Sequence, residues 1–236
     1  MQNLIDKIRY AFVWLSRIGN CRGFGVQSPS AYSFIRYVIN EHYPYYSYSD
    51  LRVLFPNLLW KQRKLFELYF RLSNFAQSKY WLINGSISNS LDTSLANSLD
   101  TSLANSLDCS IEKYFEAYIK AGCNMTDTLT KDTIAKDSIA KDTLTKDTLT
   151  KISSANDIHV VFTRDILAEE LINWFCMEAP TDSFLIYEGI YSSSLKQKQW
   201  QRLIADSRTG CSYDLYYCGI LFKDTNKIKQ HYRVNF

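Results

Sequence analysis

The sequence contains no CxxC pair and no cysteine beside a histidine at metal-ligand spacing. Its six cysteines (Cys21, Cys109, Cys123, Cys176, Cys211 and Cys218) therefore carry no zinc or dithiol signature, and reduced thiols in a cytoplasmic protein are the simplest account. No apolar run approaches the length needed to span a bilayer. The start, MQNLIDKIRYAFVWLSRIG, breaks its short apolar runs with charges, unlike a signal peptide. GxSxG is absent, and NGSIS lacks the flanking glycine that a nucleophile elbow requires. Histidine is scarce: His42, His159 and His231 are separated by whole elements, and His159 reads as a packed or edge residue rather than a base. Neither sign of charge dominates, since 27 basic against 24 acidic residues leave +3.

What is present is apolar and aromatic. At 46% hydrophobic and 15% aromatic, 236 residues can bury a substantial core, which excludes global disorder. Charge is uneven, however, with 11 Lys and Arg against 4 Asp and Glu in residues 1–80. A basic, ring-rich front can signal a nucleic-acid or membrane-facing surface. The reading adopted is a helical layer whose basic residues face water while its rings pack inward, with neither nucleic acid nor membrane as partner. The five tryptophans, Trp14, Trp60, Trp81, Trp174 and Trp200, are assigned to the core.

Residues 4–18 place Leu4, Ile5, Ile8, Phe12, Leu15 and Ile18 at helical spacing, predicting an amphipathic helix. Further helices are predicted over 30–40, with Ser30 as N-cap, over the tyrosine-rich stretch near 45–55, and from Pro56 to about Ser78. YWLI, IHVVFT (158–163) and SFLIYEGI (183–190) read as buried strands. The helical stretches DILAEELINWFCMEA and SLKQKQWQRLIADS follow the last two; Trp200, Leu203 and Ile204 form the buried face of the second. SYDLYYCGILF and KQHYRVNF read as a terminal strand pair joined by a polar turn, the last strand inserted in the sheet.

Two repeats interrupt this pattern. NSLDTSLA recurs over 89–108 and spaces Leu91, Leu95, Leu99, Leu103 and Leu107 four apart, one broad face of a weak helix. Pentads of the DTLTK type fill 127–151, and a five-residue period suits neither helix nor strand. A pentapeptide solenoid would scarcely complete one coil, so a mobile or weakly helical insertion is expected.

At both ends the chain resembles a family. GFGVQSPSAYSFIRYVINEHYPYYSYSDLRVL is similar to the front of a Bacteroidetes-type group of class I S-adenosylmethionine-dependent methyltransferases, whose motif is GxGxHSPFxY. Gln27 stands for the motif's histidine and Ser30 for its phenylalanine. The tail from Asp182 resembles the group's last strand–helix–strand–strand unit, and the two ends cover more than half the chain. The resemblance implies an α/β fold: a methyltransferase-like doubly wound sheet (79–236) with an N-terminal helical extension (1–78) and low-complexity insertions at 89–108 and 127–151. It also implies a cofactor lying across the carboxyl ends of the first strands.

The cofactor loop of that family resembles LELGTSLGIST, and YWLINGSISNS stands in its place. In the most natural register Leu82 takes the acidic position, Asn84 the first glycine and Ser88 the second; sliding by one makes Gly85 the first glycine, beside Ser86, and still supplies no acid. Asp108 is the nearest carboxylate to a ribose-binding acid, its preceding strand having given way to the octad repeat. Asp165, next to Arg164, and Glu188 stand near two later strand ends, the first a cofactor and the second a substrate position; they are too few and too displaced for a metal site. S-adenosylmethionine binding is therefore expected to be weak or lost. The function implied is methyl transfer to a small-molecule acceptor, or a non-catalytic binding or structural role on the same fold.

Overall fold

The computed structural model describes residues 2–56, 58–85, 101–124, 126–130 and 158–236. Apolar residues at steps of three and four produce helices here, and short unbroken apolar runs produce strands. The helices are α1 (Gln2–Ser16), α2 (Pro29–Phe34), α3 (Tyr46–Leu54), α4 (Trp60–Ala76), α5 (Thr101–Gly122), α6 (Glu169–Met177) and α7 (Ser194–Ala205). A 3-10 turn over Ile18–Gly23 follows α1, and a π turn over Ile35–Ile39 extends α2. The strands are β1 (Tyr80–Asn84), β2 (Asp127–Thr130), β3 (Ile158–Thr163), β4 (Phe184–Glu188), β5 (Ser212–Asp214), β6 (Cys218–Phe222) and β7 (His231–Arg233). They run in the order β2-β1-β3-β4-β6-β5-β7, a mixed α/β arrangement. Helix α2 starts where Pro29 fits the first turn, and the cap is Ser28, whose hydroxyl accepts from the Ala31 amide, rather than Ser30.

The chain divides into two compact units, Tyr43–Val160 and Met1–His42 with Val161–Phe236. In the first, β1 and β2 pair in parallel, from Tyr80 opposite Asp127 to Ile83 opposite Thr130. This corrects the expectation for the pentads: their opening residues are a strand. Four residues of D-T-L-T suffice for a short ladder, and the five-residue period argues only against the tract as a whole; residues 131–151 lie outside those described. Helices α4 and α5 pack together through Phe66, Tyr69, Phe115 and Tyr118, all at most 1% exposed. The Ser73 hydroxyl donates to the Ile119 carbonyl at 2.8 Å across that contact. The end of the octad repeat, Thr101–Asp108, forms the first turns of α5 rather than replacing a strand.

In the second unit β6 runs antiparallel to both β4 and β5, and β7 pairs in parallel with β5. The tail thus differs from the expected strand pair. SYDLYYCGILF folds back on itself as β5 and β6, while β7 is hydrogen-bonded into the sheet as expected, at its edge beside β5. The fold-back is made by Tyr216 at φ +73, a left-handed residue that is not glycine and so gives no turn signal in the sequence. Val234 and Phe236 are nonetheless buried beyond the edge strand. Trp200 of α7, 1% exposed, lies over Gly219 of β6, where a Cβ would stand 2.5 Å from the ring. Trp81, Trp174 and Trp200 belong to the core as expected, whereas Trp14 and Trp60 are 39% and 49% exposed.

Candidate functional site

Strand β1 carries its apolar run to the turn where the resemblance places a cofactor. Leu82 and Ile83 are 0% and 1% exposed, and Asn84 is still buried at the strand's last position. The turn residue is Gly85, at φ +92, a conformation that side chains other than glycine rarely adopt. In the shifted register, where Gly85 takes the first glycine, the acidic position would fall on Ile83. In either register that position is an apolar side chain packed in the interior. Ser86 and Ser88 lie outside the described residues. Asp108 falls inside α5, ahead of β2 rather than after a second strand, and its side chain is not among those described.

In the other unit, the carboxyl ends of β3, β4 and β5 each present a charged residue. Thr163 closes β3: its hydroxyl donates to the Asp165 carbonyl at 2.9 Å and accepts from the Asp165 amide at 3.1 Å. That turn leaves Asp165 exposed and sends Arg164, 7% exposed, inward. Arg164 Nε stands 3.1 Å from Glu188 Oε1, and Nη2 donates to Oε2 at 3.2 Å. Glu188, named as a substrate residue, is thus held by a guanidinium, which opposes a divalent cation at the same carboxylate. Among the described residues, no three of His, Cys, Asp and Glu gather to hold a metal ion.

The loop after β3 is fixed by Gln199 of α7. Its amide oxygen accepts from the Leu167 amide and the Tyr187 hydroxyl, both at 2.9 Å, while Nε2 donates to the Leu167 carbonyl at 2.8 Å. Burial, with a smaller effect from the Asp165 charge, pushes the Tyr187 phenol well up, so it serves as a hydrogen-bond donor.

Asp214, at the end of β5, is the centre of a second network that sequence reasoning missed. Arg17 donates from Nη1 and Nη2 to Oδ1 at 3.1 Å each, from Nη2 to Oδ2 at 3.2 Å, and from Nη1 to the Asp214 carbonyl at 2.9 Å. The Tyr191 hydroxyl donates to Oδ2 at 2.6 Å and the Tyr216 amide to Oδ1 at 2.8 Å. Tyr216 stacks on Tyr191, with ring centroids 5.4 Å apart, and Arg17 lies 5.5 Å from the Tyr216 centroid. Burial and the bond to Asp214 push the Tyr191 phenol up to about 12. It is a donor at neutral pH and no base. Arg17 and Asp214 are 197 residues apart, so no local spacing announces the pair. The one available signal is that Arg17 follows Tyr10 and Val13 on a single helical face.

Together these groups form two neutralised ion pairs and a set of phenol donors, an arrangement suited to positioning rather than to acid–base or nucleophilic chemistry. The described cysteines Cys123, Cys176, Cys211 and Cys218 are free thiols, and burial holds Cys218 well above its ordinary range. Among the described residues no helix is long and apolar enough to cross a membrane. No family model and no curated protein matches the chain.

Proposed function

We propose that the chain is a methyltransferase-fold protein of the class I, S-adenosylmethionine-dependent type whose cofactor site has eroded. The observation that carries this reading is the strand arrangement at the tail: β6 lies between β4 and β5 and runs antiparallel to both. The resemblance implies a strand–helix–strand–strand unit there, and β4, α7, β5 and β6 follow one another in the chain before β7. The left-handed Gly85 at the end of β1 supports it, because a cofactor of this class meets the backbone at that turn.

The residues present do not fit the cofactor fully. Its ribose and amino groups call for carboxylates, yet positions 82 and 83 are buried and apolar. If methyl transfer survives, it needs little beyond in-line placement of a small-molecule acceptor. The same apolar burial at Leu82 and Ile83 favours the second reading, a non-catalytic binding or structural protein on this fold.

Calorimetric titration with S-adenosylmethionine and with S-adenosylhomocysteine tests the proposal. Each lost charge-assisted hydrogen bond is worth on the order of 1.5–3 kcal/mol, so losing two weakens binding by roughly two to four powers of ten. Weak or undetectable binding is expected of the unmodified chain. Low-micromolar affinity would return it to the active enzymes.

A further inference from the structure

Helix α1 is amphipathic, but the face it turns to solvent is the apolar one. Ile8, Phe12 and Leu15 fall within roughly 60° of one another on a helix of about 100° per residue. They are 49%, 68% and 57% exposed, and Ile18 in the following 3-10 turn is 55% exposed. The helix is seated by its opposite side. Tyr10 stacks on Tyr217 with centroids 6.2 Å apart and donates to the Phe236 carbonyl at 3.4 Å, and Asn235 Nδ2 donates to the Trp14 carbonyl at 3.1 Å. Arg17, buried on Asp214, anchors the end. The rings expected to pack inward here include Phe12, which is mostly in water.

We propose that this stripe docks α1 in the plane of an anionic lipid surface. Charge selects the occupant. Positions 7 and 9, either side of Ile8 on the helix, are Lys7 and Arg9, and Arg22 follows in the next turn. The helix's one acidic residue, Asp6, sits about 160° from Ile8, on the seated side. Trp14, 39% exposed at the border of the stripe, suits the boundary between headgroups and acyl chains. An apolar stripe bordered by basic residues and an interfacial tryptophan is the pattern of an in-plane helix. A second copy of the chain is a poorer occupant. Stripe-to-stripe packing would set basic borders against basic borders with no acid to meet them, over only two heptads. No span of the bilayer is involved, and the proposal is independent of the cofactor reading.

The test is flotation of the full chain with vesicles of phosphatidylcholine plus phosphatidylserine, and with phosphatidylcholine alone, at low and high salt. Binding is expected on the phosphatidylserine vesicles, weakening as salt screens the charge. Phe12→Ser with Leu15→Ser should lower it at least a hundredfold, roughly, from lost apolar burial. Lys7→Gln with Arg9→Gln should lower it about thirtyfold on phosphatidylserine vesicles and little on phosphatidylcholine. Because Phe12 and Leu15 are exposed, the first variant should melt like the parent, which separates lost docking from lost folding. Absence of flotation, or flotation indifferent to Phe12→Ser with Leu15→Ser, overturns the proposal. So does a dimer in sedimentation that this variant dissociates, since the stripe would then be covered by a second copy.

Discussion

The Asp214 side chain is 1% exposed, and both of its oxygens accept hydrogen bonds, with Arg17 supplying the only opposite charge at the carboxylate among the described contacts. Removing one partner of such a pair costs far more than the pair contributes, because the other charge stays buried. Arg17→Ala should therefore lower the unfolding free energy by about 3–5 kcal/mol in urea titration. A loss under about 1 kcal/mol would mean that water reaches the carboxylate and that the network is peripheral. Position 82 obeys the same rule with the opposite intent. The resemblance suggests restoring cofactor binding with Leu82→Glu, together with Asn84→Gly and Ser88→Gly. Packing reverses that expectation, since a carboxylate at a 0% exposed position loses its hydration. Burial shifts such a group by about 3–5 pKa units, or roughly 4–7 kcal/mol. Leu82→Glu alone should consequently melt far below the parent with or without S-adenosylmethionine. A stable variant with improved binding would place residue 82 at the site after all.

At the scale of elements, the pentad tract separates into two parts with different expected costs. Deleting 127–151 removes β2, whose ladder with β1 covers four residue pairs. Each net hydrogen bond contributes about 0.5–1.5 kcal/mol, so the melting temperature should fall by roughly 5 °C or more. Deleting only 131–151, which offers no consistent apolar face, should leave it nearly unchanged. Equal losses for both deletions would show that the later pentads carry structure of their own. The contrast explains what sequence could and could not reveal. β1, β3 and β4 stand where their apolar runs predict, and α4 and α7 where their three- and four-residue steps do, because burial on those faces repeats often enough to print a pattern. β2 is too short for any period and is hidden inside a repeat. The β5–β6 reversal depends on Tyr216 in a left-handed conformation that tyrosine does not advertise. For α1 the wheel shows two faces without saying which one docks, and Arg17 with Asp214 decides the matter from the far end of the chain. The resemblance points to Gly85, Asp165 and Glu188, but the pairing of Arg164 with Glu188 belongs to the tertiary fold.

Taken as a whole, the molecule carries titrating groups whose effects on stability oppose each other on the alkaline side. Burial, reinforced by the Arg71 charge and opposed by Glu67, lowers Lys64 to about 8. Between pH 8 and the ordinary lysine value near 10.5 the unfolded chain holds a proton that the folded chain has lost, so stability rises with pH through that window. Tyr48 and Tyr191 act the other way. Burial raises both to about 12; the Arg71 charge works against it at Tyr48, and the bond to Asp214 adds to it at Tyr191. Their contribution is fully present below the unfolded tyrosine value near 10 and is lost as pH climbs toward 12, because the folded phenols keep protons that the unfolded ones release. Burial also holds the Cys176 and Cys218 thiols above their ordinary range near 9, and that contribution is lost as pH rises past 9, so the unfolding free energy should peak between about pH 9 and 10 and fall beyond it. Urea titrations from pH 7 to 12 give the profile directly. Lys64→Met should flatten the rising limb, since it removes the titrating cation, and Tyr191→Phe should shallow the falling one. A stability that declines steadily from pH 7 in both the parent and Lys64→Met would mean that Lys64 stays fully hydrated in the folded chain, and that its place over the Trp60 ring, 5.7 Å from the centroid, does not shield it.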